Sequence, residues 1–378
     1  MKNSRFFSTI QLLFLLLLCI FILRSPAEAC SHAAIALRLW FEKMIPSLFP
    51  FMILSGLIVR LDFGRLLALP VYPFLGRLYQ ISKTMCTTLL IGFLFGFPLG
   101  AKTIAEEYSL GQLSRPQAQY LLSFCNNIGP VYLLSFALPL LGLSSDSSDT
   151  LLQRFVMAAF FGIPLLYGLI LRYTVYRSVP LAASHSHSVK NAASPAHSST
   201  LHTASQLLHF KTPHAAPKRP DSQSRSPLTA ASSDSCKKAA APSFIQALDA
   251  SVTSACTAIT RLGGYMIFFI VCNLPLQQAT SFLRLPAAKN GAAKLAVFAA
   301  PVLEITSGLA LSKDALSPAL FMTMLTFGGL SCFAQTYTCI RDTDLSFGNY
   351  CLHKILQSTI AFCLYALLFS AFSGKPPL

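Results

Sequence analysis

The chain has 378 residues, of which 53% are hydrophobic and only 11% are charged, and its mean hydropathy is +0.57. Soluble domains carry roughly a quarter charged residues, so this composition excludes an ordinary soluble protein. The formal net charge of +15 comes from basic residues in loops between apolar runs. In such loops Lys and Arg set membrane topology and contact anionic lipid, so membrane lipid is an expected partner and nucleic acid is not.

Residues 1–30 form the first predicted unit, a membrane anchor or signal-like helix. Lys2 and Arg5 precede the apolar run Phe6–Leu23, and Ala27-Glu28-Ala29 resembles a signal-peptidase site. Both a cleaved signal and a retained helix fit this pattern. We prefer the retained helix, because the run nearly reaches spanning length and further apolar segments follow.

Residues 31–176 form the first membrane unit. It opens with Ala33–Ile45, in which apolar and charged residues occupy separate helical faces. This pattern predicts an amphipathic helix in the membrane interface, with Trp40 at the depth of the lipid headgroups.

The first unit also contains an interrupted apolar run, Thr84–Gly100, which ends in Gly96-Phe97-Pro98-Leu99-Gly100-Ala101-Lys102. Irregular backbone at membrane depth is tolerated only where it is buried in protein or lines a wet cavity. Transporters present such broken helices to their substrates. The motif therefore predicts a binding site within the membrane.

A second interruption follows in the same unit. Ser114 is predicted to cap a helix with Pro116 in its first turn, and this helix ends at Ser123-Phe124-Cys125-Asn126-Asn127-Ile128-Gly129-Pro130. Two apolar segments, Val131–Leu143 and Phe155–Tyr173, complete the unit.

Residues 177–243 differ in composition from the rest of the chain, being rich in Ser, Pro, His and basic residues without apolar periodicity. Such a segment cannot bury enough surface to fold, so we predict a disordered loop. Six of the eight histidines lie here, at irregular spacing and without thiols or carboxylates beside them. The eleven cysteines likewise form no ligand pattern, so no metal site is expected.

Residues 244–378 form the second membrane unit and repeat the order of the first. An apolar run broken around Glu304, Leu295–Leu311, precedes a helix that starts at Ser317-Pro318 and ends at Gly328-Gly329. Paired breaks at corresponding positions of two halves indicate a transporter binding site. The predicted fold is an all-α polytopic integral membrane protein with two related halves that contain broken or re-entrant helices.

The breaks supply the candidate site residues. Glu304 is the only ionisable residue in its run, and a carboxylate at membrane depth is a functional candidate for coupling to H⁺ or Na⁺. The alternative is that it caps a broken helix or bonds a nearby serine. Lys102 could meet a substrate carboxylate or extend to the interface. The other substrate-binding candidates either permit the helix breaks or offer uncharged hydrogen bonds to a substrate. They are Gly96, Pro98, Gly100, Ser123, Asn126, Asn127, Thr306, Ser307, Gly329, Ser331 and Gln335. Their hydroxyl groups could instead hydrogen-bond to the backbone of their own helices.

The order of these motifs resembles the YlbJ family of sporulation integral membrane proteins, which carries the Gate or nucleoside-recognition domain. The resemblance covers nearly the whole chain outside the basic loop. It rests on Trp40 with Pro46-Ser47-Leu48-Phe49-Pro50-Phe51, the two breaks of the first unit, Gly263-Gly264-Tyr265, Glu304-Ile305-Thr306-Ser307-Gly308, and Gly329-Leu330-Ser331 with Gln335. Through the family's similarity to concentrative nucleoside transporters, it implies inverted repeats with re-entrant hairpins. It also implies a location in the mother-cell-derived membrane around the forespore and movement of dipicolinic acid.

We therefore predict a transporter of a small organic anion, with dipicolinate as the candidate, working by alternating access and needing no cofactor besides a coupling ion. A nucleoside or nucleobase carrier and a non-transporting scaffold for spore-envelope assembly are the alternatives, and a homo-oligomer is left open. An enzyme is not expected, because H-E-x-x-H, paired aspartates and G-x-S-x-G are all absent from the sequence.

Overall fold

The computed structural model describes residues 2–61, 63–143, 150–182, 243–275, 295 and 297–373. This part of the chain is helical and contains no strand. The basic loop predicted at residues 177–243 lies outside the described residues except at its two ends. Its predicted disorder therefore stays a prediction.

The described residues before the basic loop contain eleven α-helices. They are α1 Lys2–Arg24, α2 Pro26–Leu39, α3 Ile45–Arg60, α4 Phe63–Ala68, α5 Tyr72–Tyr79, α6 Lys83–Phe95, α7 Leu99–Ser109, α8 Arg115–Leu122, α9 Pro130–Tyr132, α10 Leu138–Leu140 and α11 Thr150–Tyr173. The helices described after the loop are α12 Phe244–Val271, a segment at 297–303, α13 Ile305–Ser312, α14 Pro318–Phe327, α15 Gly329–Ile340 and α16 Phe347–Ser373.

Five helical stretches of the described residues are long and apolar enough to cross a membrane: Pro26–Arg60, Leu151–Tyr173, Phe244–Val271, Pro318–Ile340 and Phe347–Phe372. A sixth span results if α5 and α6, which are bent by 104° at their junction, are counted together. This confirms the predicted all-α polytopic membrane class.

The helix predicted at Ala33–Ile45 does not end at Ile45, because α2 and α3 form one continuous helical stretch. Its position in the membrane interface stays a prediction. The two helices are joined by a π-turn at Trp40–Met44, where the regular α-helical hydrogen bonds are interrupted. This interruption avoids the clash that the ring of Pro46 would otherwise make with the backbone carbonyl four residues earlier. Trp40 packs against Gly263 of α12 and donates its indole N–H to the carbonyl of Ile259, at 2.8 Å. The tryptophan thus holds two helices together.

The first predicted break is confirmed, and it forms the tip of a helical hairpin. Helix α6 ends at Phe95 and α7 begins at Leu99. A Cβ added to Gly100 would lie 3.2 Å from the Cα of Gly92, so the two helices fold back on each other. We call residues 96–98 tip 1. At 13 residues, α6 is about 20 Å long, too short to cross a core of about 30 Å.

A second hairpin surrounds Glu304. A Cβ added to Gly308 of α13 would lie 2.4 Å from the carbonyl of Ala300, and the Ser312 hydroxyl donates to the carbonyl of Val297 at 2.8 Å. The segment 297–303 and α13 therefore run back along each other, and residues 302–304 form tip 2.

Each hairpin is followed by an interrupted helix, as predicted. The start of α8 is capped reciprocally by Ser114 and Gln117, and the chain then leaves the helix between Ser123 and Gly129. In the second unit, the hydroxyl of Ser317 caps α14, which ends at Gly328 in a left-handed conformation with φ of +87°. We call residues 123–129 break 1 and residues 328–329 break 2.

The tips lie directly against the breaks. A Cβ added to Gly96 would be 2.3 Å from the amide nitrogen of Gly129, so tip 1 contacts break 1. A Cβ added to Gly329 would be 3.0 Å from the carbonyl oxygen of Pro301 and 3.2 Å from the amide nitrogen of Ile305. Tip 2 therefore contacts break 2, and only the absence of side chains at these glycines allows the approach.

Candidate functional site

One cavity of about 40 Å³ is lined by residues of tip 1, tip 2 and break 1. Tip 1 contributes Phe97 and Pro98, and the second hairpin contributes Glu304 and Thr306. Most of the other lining side chains are apolar, among them Met44, Leu48, Ile128 and Leu262. We call this space the inner cavity. Of the described residues that line it, Glu304 is the only one with a carboxylate or a basic group.

Glu304 is buried, with 1% of its surface exposed, and it is the N-cap residue of α13. Its carboxylate accepts hydrogen bonds from the amides of Thr306 at 3.1 Å and Ser307 at 2.6 Å, and from the Ser307 hydroxyl. These donors and the positive end of the helix dipole stabilise a negative charge at this position. Capping and functional roles are compatible here, since the capped carboxylate also faces the cavity.

Thr306 links the second hairpin to the first unit. The hydroxyl of Tyr132 donates to the Thr306 hydroxyl at 3.1 Å, and both residues are buried and line the inner cavity. Tyr132 follows break 1, so a displacement of the second hairpin would break this contact between the two units.

The polar candidates of break 1 are held by other helices. Asn126 accepts from the amide of Ala101 at 3.2 Å and donates to the Thr336 hydroxyl at 2.8 Å. Ser123 donates to the carbonyl of Gln119 in its own helix. This matches the alternative role for the hydroxyl candidates, in which they bond to their own helices. None of these residues lines the inner cavity.

Asn127 leads to a functional candidate that the sequence analysis missed. The ammonium of Lys354, in the apolar helix α16, donates to Asn127 Oδ1 at 2.7 Å and to the carbonyl of Thr326 at 3.3 Å. It also lies 5.7 Å from the ring centroid of Phe97. Lys354 is 1% exposed, and no carboxylate in the described part of the chain forms an ion pair with it. This one charge therefore contacts tip 1, break 1 and the end of α14.

The signal that could have revealed Lys354 was present in the sequence. It is a charged residue within the spanning stretch Phe347–Phe372, and the rule that singled out Glu304 applies equally to it. Gln357, one helical turn later, donates to the carbonyl of Ser123 at 3.1 Å, so α16 presents a polar stripe to break 1.

Lys102 lies outside the inner cavity. Its ammonium donates to the Ser254 hydroxyl at 2.6 Å and lies 3.8 Å from the carboxylate of Glu106, one turn along α7. Lys102 lines a second cavity between α7, α12 and α15, and this cavity shares Pro98 and Gln335 with the inner one.

The remaining candidates divide by position. Pro98, Thr306 and Gln335 line the inner cavity, and Ser307 binds the Glu304 carboxylate. The glycines Gly96, Gly100 and Gly329 form close backbone contacts within the hairpins and between tips and breaks. The Ser331 hydroxyl and the Gln335 side-chain nitrogen are buried without a hydrogen-bond partner among the described residues.

Comparison with known proteins gives a relative that extends over almost the whole chain. Over 380 aligned residues, the chain is 26% identical to the sporulation integral membrane protein YlbJ of Bacillus subtilis (strain 168). The alignment covers 96% of this chain and 82% of YlbJ. The chain is an integral membrane protein that resembles YlbJ over nearly its whole length. No protein-family model matches the sequence, and no solved structure matches it.

In this YlbJ-like chain, the described residues contain no group of three His, Cys, Asp or Glu side chains that could hold a metal ion. Six of the eight histidines belong to the basic loop and lie outside the described residues. The chemistry of the site therefore rests on one buried carboxylate, one buried ammonium and the ends of interrupted helices.

Proposed function

We propose that this protein is a sporulation-associated membrane transporter of a small organic anion, working by alternating access between two related halves. The observation that supports it best is the convergence of both hairpin tips and break 1 on one cavity lined by Glu304. Secondary transporters place their substrate and ion sites at such interrupted helices near the membrane midplane. The role in sporulation is proposed from the relative YlbJ, which is a sporulation integral membrane protein.

The order of elements supports the two related halves. In residues 83–140 and again in residues 297–340, a helical hairpin is followed by an interrupted helix, and the tip of the hairpin lies against that interruption. Movement of one hairpin away from its break would open the inner cavity on one side. The Tyr132–Thr306 hydrogen bond joins the halves and would reform when the cavity closes.

The buried charges support transport of an ionic substrate. Phe97 lines the same cavity as Glu304, and its ring lies beneath the Lys354 ammonium. In our proposal, Lys354 and the N-terminal ends of the short helices attract substrate carboxylates, and Glu304 responds to the coupling ion, H⁺ or Na⁺. In this proposal it is Lys354 that contacts the substrate carboxylate, a role that the sequence had suggested for Lys102. Dipicolinate is the candidate substrate because the family resemblance implies it.

The test is uptake of radiolabelled dipicolinate into proteoliposomes that contain the full-length protein. Glu304→Gln keeps one acceptor for the helix cap and removes the charge, so we expect correct folding with at least about tenfold slower uptake. Glu42→Gln is the matched control, because the Glu42 side chain is 58% exposed and, among the described residues, pairs only with Arg38 one turn earlier.

Equal uptake by wild type and Glu304→Gln would remove Glu304 from the mechanism. Uptake that uridine inhibits and dicarboxylates do not would support the nucleoside carrier. Absence of any uptake by correctly folded wild-type protein would favour the membrane scaffold.

A further inference from the structure

The second cavity is distinct from the inner cavity and has a different electrostatic character. It has a volume of about 210 Å³ and lies between α7, α12 and α15. Hydroxyls from α12 and α15 line it, on Ser254, Thr257, Tyr265 and Thr338. Pro98 and Gln335 line both cavities, so the two spaces adjoin at tip 1 and α15.

Two basic side chains line this cavity, and no carboxylate does. Lys102 is bonded to Ser254 and lies 3.8 Å from the carboxylate of Glu106, a residue that does not line this cavity. Arg261 of α12 is exposed and makes no hydrogen bond or ion pair with the described residues. Its guanidinium is therefore available, and its planar set of N–H donors matches a carboxylate in a bidentate geometry.

Gln335 marks the junction between the cavities. Its side chain is 5% exposed, and its amide nitrogen has no acceptor among the described residues. A buried donor without an acceptor is unfavourable, and a ligand oxygen at the junction would satisfy it.

We propose that the second cavity is a cationic vestibule that receives the carboxylates of the transported anion before they reach the inner cavity. Arg261 binds the first carboxylate in a bidentate manner, Lys102 supplies the second positive charge, and the Gln335 amide donates to the anion as it passes tip 1. This proposal rests on the proposed anion transport and deepens it, since it assigns substrate selection to Arg261. From the sequence alone, Arg261 could be an anion partner or a charge that sets membrane topology, and the second was preferred.

The experiment measures binding and uptake of radiolabelled dipicolinate by the full-length protein in lipid nanodiscs and proteoliposomes. We expect Arg261→Gln to raise both Kd and the half-saturation concentration by about tenfold to a hundredfold, with the maximal uptake rate within about twofold of wild type. Arg261→Lys keeps the positive charge without the planar donors. Its Kd and half-saturation concentration should lie between those of the wild type and of Arg261→Gln. Arg154→Gln removes an equal charge from α11, away from both cavities, and should behave like wild type.

Raised salt should weaken dipicolinate binding by the wild type more than by Arg261→Gln, because an exposed charge is screened. A Kd for Arg261→Gln equal to that of the wild type, in protein that still transports dipicolinate, would overturn the vestibule and leave the proposed function standing. Wild-type protein that neither binds nor transports dipicolinate would overturn the proposed function, and the vestibule with it.

Discussion

Replacement of Lys354 by methionine should separate the use of its charge from its contribution to packing. Methionine has nearly the same length and fills the same buried position on α16. The change removes the hydrogen bonds from the ammonium to Asn127 at 2.7 Å and to the Thr326 carbonyl at 3.3 Å, together with the contact to the Phe97 ring. It also removes a positive charge that no described carboxylate neutralises.

The energies of these changes oppose each other. A buried Asn127 oxygen without its donor costs about 1–3 kcal/mol, and the lost contact with the Phe97 ring costs about 1 kcal/mol. Against this, a buried ammonium carries a desolvation cost of several kcal/mol that methionine does not. We therefore expect the free energy of unfolding of Lys354→Met to lie within about 2 kcal/mol of wild type, while anion uptake falls at least about tenfold.

The assay pairs thermal unfolding in detergent with dipicolinate uptake into proteoliposomes. Lys313→Met is the control, because Lys313 is an exposed residue at the end of α13. A Lys354→Met protein that is destabilised by more than about 4 kcal/mol would show that the ammonium is structural. A stable variant with wild-type uptake would show that transport does not use the charge. Either result would refute the reasoning.

Two further predictions concern tip 1 and a half-buried carboxyl group. Gly96→Ala should prevent correct folding, because Gly96 has φ of +68° and the new Cβ would lie 2.3 Å from the Gly129 nitrogen. The control Gly162→Ala adds a Cβ to free space and should leave the Tm unchanged or higher. Equal Tm values for the two variants would contradict the contact between tip 1 and break 1. Burial raises the pKa of Glu107 from 4.5 to about 7, although its hydrogen bond from Thr88 opposes the shift. Because the folded-state pKa is the higher one, this group's contribution to stability is complete below pH 4.5 and is lost as pH rises through about 7. Tm measured across this range should fall less for Glu107→Gln than for wild type, and parallel curves would contradict the shift.

The helix interruptions were predictable because their causes are local. Gly96 and Pro98 end α6 through backbone conformation, and Ser114 and Ser317 cap helices through atoms within four residues of themselves. The end of the helix predicted at Ile45 was wrong, because the π-turn at Trp40–Met44 accommodates a proline that local rules treat as a boundary.

The sequence by itself determined the membrane class, the positions of both tips and breaks, and Glu304 as a residue of interest. These depend on composition and on neighbours along the chain. Only the tertiary structure decided which charge lies at the breaks, because Lys354 is 227 residues from Asn127 in sequence and 2.7 Å from it in space. It likewise placed Lys102 with Arg261 in a separate cavity, since the packing of α7, α12 and α15 selects which side chains share a space. The sequence of one helix does not reveal which side chains of a distant helix will pack against it.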